Sequence, residues 1–403
     1  MCNLRGIMTE DFNINYLLEN IFGTTTKEKY DDEDIYKIAN LLLKLKDYKF
    51  ITIRSEKPQK EMCMYNKDFG YYIPDGGTFI DELCSSNFTT SSKKFTEALK
   101  YRIQNKTLIS RKIFIHPRHL INLKNGIFNL DTNELMEHSS EHYFQGTLNI
   151  LYDKNADCPM WKKALDGMFK SDEDKLRNQK WFGYQFMREN REQVAHGYFG
   201  ESGSGKSQIL KILRDLLGPD NVTNFQLQEF SNPNMYALGK LHAKYANICY
   251  DMSTTKLKDI SIFKQLTGGD PITGRNIYKE PFEFINYAKL TWLCNKLPSI
   301  SENALNSTQF KRRIILTEIV KGHIIDNKDI YQCFKKELSG IFNWAVEGYN
   351  LYKEEGFKWN YNIVPKMWKN NSEDGMSEKV ESNTIVISNN DELENLFASE
   401  DDD

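Results

Sequence analysis

The stretch Val194-Ala-His-Gly-Tyr-Phe-Gly-Glu-Ser-Gly-Ser-Gly-Lys-Ser207 carries the reading on which the rest of this 403-residue chain depends. Val194 to Phe199 is a short apolar run of the kind that forms a buried strand. Gly200-Glu201-Ser202-Gly203-Ser204-Gly205-Lys206-Ser207 matches the phosphate-binding loop G-x-x-x-x-G-K-[ST]. Ile209, Leu210, Ile212, Leu213, Leu216 and Leu217 then recur at helical spacing until Gly218-Pro219 closes the segment. A loop that cradles phosphate needs glycines so that successive N–H groups turn inward, and a helix N-terminus aimed at the anion. It also needs a lysine for the β/γ oxygens and a hydroxyl for magnesium. Gly203, Gly205, Lys206 and Ser207 fill those roles. A glycine-rich turn can match this pattern by accident, but the strand before it and the helix after it argue for a nucleotide site.

Downstream, Ala246 to Tyr250, Leu290 to Cys294 and Ile314 to Ile319 are apolar strand candidates separated by helical patterns. That alternation predicts a three-layer α/β domain around a mostly parallel sheet. Asp251 follows the first of these strands, where a magnesium-holding acid is expected. Asn295-Lys-Leu-Pro298 follows the second, and Arg312-Arg313 directly precedes the third. Between them lies Phe263-Lys-Gln-Leu-Thr-Gly-Gly-Asp270. After it, Ile272 to Ile285 reads as a hairpin with Lys279-Glu-Pro281 at its tip.

Upstream, Asp31-Asp-Glu-Asp34 opens a helix through Leu45; acids there suit the helix dipole better than a metal. β-like pieces follow at Phe50 to Ile53, Met62 to Tyr65 and Tyr71 to Ile73, the last ahead of a turn at Asp75-Gly-Gly77. A second helix is expected over Lys94 to Gln104, and a hairpin around Asn125-Gly126. Pro159 to Glu189 reads as a helical lead-in. A helix is expected from about Lys328 to Tyr352, its aromatic residues serving as core.

Composition is ordinary for a globular protein. No run of eighteen apolar residues and no signal pattern occurs, so no membrane partner is expected. Seven scattered cysteines without C-x-x-C or zinc spacing indicate reduced thiols in a cytoplasmic setting, Cys249 and Cys294 acting as small buried hydrophobes. From Asn371 to Asp403 eleven carboxylates stand against one lysine, leaving the remainder mildly basic. That end reads as a disordered acidic tail that would solubilise the chain, recruit a basic partner, or compete with a nucleic acid for a basic surface. A basic body is compatible with a nucleic-acid partner.

The ordered set of loop, strand-end acid, K-x-L-T-G-G-D, N-x-x-P and R-R-hydrophobic resembles superfamily 3 helicases. Within them it looks like the helicase portion of phage, plasmid and poxvirus-type primase–helicases. LKNGIFNLDTNELMEH (Leu123 to His138) and GIFNWAVEG (Gly340 to Gly348) look like flanking landmarks of that group, so the resemblance spans roughly residues 35 to 360. It implies an AAA+-like ATPase using ATP and Mg2+. It also implies a ring, usually a hexamer, around single-stranded DNA. Lys206 would meet the β/γ-phosphates, Ser207 and Asp251 would hold magnesium, and Asn295 would sense the γ-phosphate. Arg312 or Arg313 would act on the neighbouring subunit's nucleotide; Arg313, next to the strand, is favoured and Arg312 stays open. Arg275 and Lys279 would touch DNA phosphates, and Lys264 would serve its own or an adjacent nucleotide site. The implied division is an α+β region at 1–150, a helical lead-in at 151–190 and an ATPase core at 191–325. A helical segment at 326–368 and the tail at 369–403 complete it.

Two departures accompany the resemblance. Asp251 is followed by Met252 and Ser253 rather than a second acid, so either Asp251 suffices or the water-activating base comes from elsewhere, Glu201 or Asp270. Neither a primase domain nor a winged helix is recognisable, so a separate primase or origin-binding protein is an expected partner. The rival readings are an AAA+ initiator or loader switched by ATP without unwinding, a phosphate-loop kinase, and a nucleotide-binding scaffold.

Overall fold

The computed structural model describes residues 29–44, 49–54, 60–88, 92–110, 117–230, 235–257, 260–277, 280–320 and 329–372. Lys279 and the acidic stretch from Glu373 onward lie outside the described residues.

Strands β1 (Phe50–Arg54), β2 (Glu61–Asn66), β3 (Tyr71–Ile73) and β4 (Leu108–Ser110) form a sheet in the order β3-β2-β1-β4, with only β1 and β4 parallel. The helices Asp32–Lys44, Gly76–Asn87 and Lys93–Lys106 cover one face. Their apolar stripes (Ile35, Ile38, Leu42; Phe79, Ile80, Leu83; Leu99, Ile103) pack on Phe50, Met62 and Met64. Alternation along β1 sends Ile51 and Ile53 to the other face, against Cys63 and Tyr72. A meander, β5 (Leu120–Leu123), β6 (Gly126–Asn129) and β7 (Glu134–Met136), then joins this module to the core of the second.

The second sheet contains β8 (Ala195–Phe199), β9 (Val222–Thr223) and β10 (Ala246–Cys249). A separate antiparallel hairpin follows, β11 (Pro271–Arg275) and β12 (Pro281–Ile285), before β13 (Lys289–Cys294) and β14 (Ile314–Glu318) return to the sheet. All its pairings are parallel, in the order β14-β8-β13-β10-β9. Counting these five strands along the chain gives 5-1-4-3-2. The period-2 alternation sorts each strand between two cores. Tyr198, Ile248, Leu293 and Ile315 face the layer formed by the helices Pro159–Met168, Asp172–Tyr184, Lys206–Leu217 and Leu338–Glu355. Phe199, Cys249, Trp292, Cys294 and Leu316 face the layer holding the helices Ser261–Gly268 and Val364–Asn371. The architecture is thus a three-layer α/β domain on a five-stranded parallel sheet, preceded by an α+β region.

Four local expectations change. Asp75-Gly-Gly77 is no free turn; it opens the Gly76–Asn87 helix, whose Phe79, Ile80, Leu83 and Cys84 drop into the first core. The long C-terminal helix is broken at Glu337 into Ile330–Lys336 and Leu338–Glu355. The break is held because the Glu337 carboxylate caps another helix, accepting from Met160 N and Trp161 N. The lead-in is two helices, Pro159–Met168 and Asp172–Tyr184, the second capped by Ser171. Finally, ordered chain runs past residue 368: Lys369 to Asn371 finish a helix anchored by Trp368, whose buried indole donates to Pro298 O at 2.7 Å, and Ser372 bridges Leu297.

Candidate nucleotide-binding site

Parallel strands with helices on both faces place their ligand sites beyond the strands' carboxyl ends. The register brings three of the anticipated segments to that edge together. Phe199 pairs with Cys294 and Glu318, and Cys249 pairs with Trp292. The loop from Gly200, Asn295 and Asp251 therefore emerge side by side, with Met252 N donating to Leu293 O at 2.9 Å.

Gly200 has φ 148°, and a Cβ there would lie 2.2 Å from Ile319 O, so the loop can leave the sheet only through glycine. Gly203 and Gly205 take left-handed φ values of 78° and 88°, and Gly205 caps the Lys206–Leu217 helix. The loop thus runs into a helix N-terminus, the end where backbone N–H groups lack intrahelical carbonyl partners and favour an anion. Lys206 is only 5% exposed, and its Nζ donates to Gly200 O and Glu201 O at 2.6 Å each and to Ser204 Oγ at 3.3 Å. Burial pulls its pKa below the usual lysine range, while the nearby Cys294 thiol and the Glu201 carboxylate oppose that shift. A caged, partly desolvated ammonium is a strong partner for an arriving oxyanion.

Ser207 and Asp251 are both exposed, which suits an ion that keeps water and takes one or two protein ligands. Among the described residues, no group of three or more His, Cys, Asp or Glu is placed to hold a metal alone. A magnesium held here would therefore depend on phosphate oxygens for much of its shell. Glu201 and Ser202 are exposed on the loop and Ser204 is buried beneath it. Cys294 was read only as a small hydrophobe. Its thiol is buried beside Lys206, Cys249 and Asp251, and burial pushes it up to about 12, so it stays neutral under the loop.

The other anticipated cations gather at the opposite edge, where the strands begin. Arg312 and Arg313 precede β14, about 16 Å from the loop at the usual rise per strand residue. Arg313, 9% exposed, donates through Nη1 to Gln309 O at 2.8 Å and through Nη2 to Gln193 Oε1 at 3.1 Å. Burial, then Arg312, lowers its pKa, against the pull of Asp270. Arg312 is half-buried and also donates to Gln193 Oε1. Lys264 donates to Gln309 Oε1 at 3.3 Å, so it stands with the arginines rather than with its own chain's loop. Asp270 also sits at this edge, which separates it from Lys206.

The hairpin β11–β12 springs from the same edge. Arg275 lies over the Tyr236 ring at 5.9 Å, and Ile277 is 60% exposed near the tip. Its root is fixed by glycine contact: a Cβ on Gly274 would sit 2.6 Å from Gly239 Cα in the Met235–Lys240 helix. A polar network missed in the sequence secures both legs. Asn190 Nδ2 donates to Leu266 O and Asn286 O, Asn286 Nδ2 to Leu266 O, and Gln193 Nε2 to Gly268 O. No local pattern distinguishes these amides from ordinary surface residues.

Residues 25–170 match a family described as D5 N terminal like, and residues 198–313 match a family of unknown function, DUF5906. A mimivirus protein, L207/L206 of Acanthamoeba polyphaga mimivirus, described as a candidate helicase, is 24% identical over 196 residues. That match takes in 46% of this chain and 20% of the relative, so the chain corresponds to only about a fifth of that protein's length. Among solved structures, the apo C-terminal region of NrS-1 superposes with TM-score 0.50 at 15% identity, over 86% of this chain and 74% of that one. A structure described as the A form of the same apo region gives 0.49 at 12% identity over 86% and 73%. At such identities the superposition speaks for the fold alone.

Proposed function

We propose that this chain belongs with the phage and viral primase–helicases and is an ATP-dependent replicative DNA helicase acting as a ring. The observation that carries the reading is the partition of the sheet. Loop, Asp251 and Asn295 share the carboxyl-end edge, while Lys264, Arg312 and Arg313 share the amino-end edge some 16 Å away. Arginines that sit away from their own chain's loop suit a nucleotide held by the next subunit. Shared sites of that kind would tie hydrolysis to movement between subunits.

In this reading Lys206 neutralises the β/γ oxygens, and Ser207 and Asp251 orient the magnesium that phosphoryl transfer requires. Asn295 reports on the γ-phosphate. Arg312 is the better candidate for the neighbour's nucleotide, because Arg313 is buried with Nη1 and Nη2 both engaged. Arg275 on the hairpin meets the DNA backbone, and single-stranded DNA is the partner. The absence of an acid at Met252 and Ser253 also favours a second reading, an ATP-switched initiator that binds nucleotide and hydrolyses slowly.

The test is the ATPase rate with and without single-stranded DNA, for wild type, Lys206→Ala and Arg312→Ala. The helicase reading expects stimulation by DNA, loss in each variant, and partial recovery when the two are mixed. A DNA-indifferent rate that survives Arg312→Ala would sink it, and tight ATP binding without turnover would favour the initiator.

A further inference from the structure

We infer that the outward face of the N-terminal module, on the helices Asp32–Lys44 and Lys93–Lys106, is a second contact for single-stranded nucleic acid. Bases stack there on Tyr36 and Tyr101, and phosphates meet Lys60, Arg102 and Lys106. It extends the proposed function to a region with no part in nucleotide handling.

The Lys93–Lys106 helix buries Phe95, Thr96, Leu99 and Ile103. Helical geometry then turns two neighbouring rows outward, Tyr101/Asn105 and Arg102/Lys106. Tyr36 and Asn40 of the adjoining helix flank the second row, and Lys60 flanks the first. Tyr101 is 63% exposed and Tyr36 45%, a large aromatic area left in water with no packing return.

The cations on this face are disposed in a particular way. Lys106 Nζ lies 4.6 Å and Arg102 Cζ 5.8 Å from the Tyr36 ring centre, and Lys60 Nζ lies 5.4 Å from that of Tyr101. Lys106 and Lys60 are steadied by amides, donating to Asn40 Oδ1 and Asn105 Oδ1. None of the three pairs with a carboxylate among the described residues. Lys100, on another side of the same helix, is instead held by both Asp81 and Glu97, at 2.6 and 3.4 Å. The helix carries five cations against one acid, and the acidic turn Asp32–Asp34 bounds the patch at one end.

An exposed ring beside a cation that no carboxylate holds suits a strand whose charge and π-face alternate. Stacking on aromatic side chains together with a basic track is the general mode of sequence-tolerant single-strand binding. A duplex keeps its base faces covered and would use only the cations. An acidic peptide would likewise ignore the rings.

The test is fluorescence anisotropy of a labelled oligothymidylate of about fifteen nucleotides with the full chain, at low salt and without nucleotide. Tyr36→Ala with Tyr101→Ala should weaken binding about tenfold, and Tyr→Phe at both sites should restore it. Arg102→Ala with Lys106→Ala should flatten the dependence of log K on log salt by about 1.4, two phosphate contacts' worth. An oligonucleotide carrying 5-iodouracil should crosslink to peptides containing Tyr36 or Tyr101. Wild-type affinity in the double tyrosine variant, together with no crosslink, would overturn the inference. So would displacement by polyglutamate that depends on the cations while the tyrosines are immaterial, which would mark an acidic-protein surface. A chain without ATPase activity would undo the proposed function but leave this measurement intact, since no nucleotide is present.

Discussion

Gln193 Oε1 lies 3.1 Å from Nη2 of Arg313 and equally far from Nη2 of Arg312, so one amide oxygen holds both arginines. Its Nε2 reaches Gly268 O at 3.2 Å, two residues before Asp270 leads into the hairpin. Gln193 adopts φ 57°, a left-handed conformation costing a non-glycine residue about 1 kcal/mol, and only Val194 separates it from the strand that feeds the glycine-rich loop. A strained residue that touches the arginine pair, the hairpin root and the loop strand is well placed to connect them. Gln193→Ala is expected to leave ATP affinity within about twofold and to lower DNA-stimulated turnover about tenfold, the worth of roughly one charge-assisted hydrogen bond. Steady-state ATPase kinetics check it; unchanged stimulation would show that the amide only fills space.

The Gly274–Gly239 contact makes a separate claim about the hairpin. Gly274→Ala must push the Met235–Lys240 helix away, since the added carbon would sit 2.6 Å from backbone and 3.0 Å from the Phe284 ring. DNA affinity should fall several-fold with a destabilisation of about 1–3 kcal/mol, while basal ATPase persists. Binding and thermal melting, measured together, separate a displaced hairpin from a general loss of fold.

Ser207→Ala tests the magnesium assignment. The hydroxyl is exposed at the head of its helix, so its loss should not disturb packing. Half-saturating magnesium in the ATPase assay should rise about tenfold, and chelation by EDTA should abolish turnover in both proteins. An unaltered magnesium dependence would move that ligand elsewhere.

Stability should fall in mild acid because of His196. This side chain is fully buried on β8, bonded through Nε2 to Thr317 Oγ1 at 2.8 Å and stacked on Tyr198 at 4.2 Å, and burial holds its pKa well below the ordinary value. The folded chain keeps it neutral, whereas the unfolded chain binds a proton below about pH 6.5. Its stabilising contribution is therefore complete above that pH and is lost as pH falls toward the depressed folded value, by up to about 1.4 kcal/mol per pH unit. Melting curves at pH 7.5 and 5.5 should differ for wild type and differ less for His196→Gln. An equal acid shift in both would assign the effect to other groups.

Local pattern alone was sufficient for the glycine-rich turn after Phe199 with its strand and helix, the five core strands except the two-residue β9, and the hairpin. Each is written in apolar periodicity, glycine placement or a turn dipeptide, and such signals act over a few residues. Pattern could not show that Asp75-Gly76-Gly77 begins a helix, because that helix forms by burying Phe79 and Ile80 against strands from elsewhere in the chain. Nor could it show the break at Glu337, whose carboxylate caps a helix some 177 residues earlier.

For the candidate site the same division holds. The sequence by itself determined only the candidates: Lys206 and Ser207 by motif, Asp251 and Asn295 by their place after strands, Arg312 and Arg313 by preceding one. Only tertiary structure decided which of them stand together. Strand register carries the loop, Asp251 and Asn295 to one edge and sends the arginines, Lys264 and Asp270 to the other, and Gln193, Asn190 and Asn286 acquire meaning only from that arrangement. The physical reason is that side-chain chemistry belongs to a residue, whereas proximity across a parallel sheet is set by strand order and by the packing of the layers on either side.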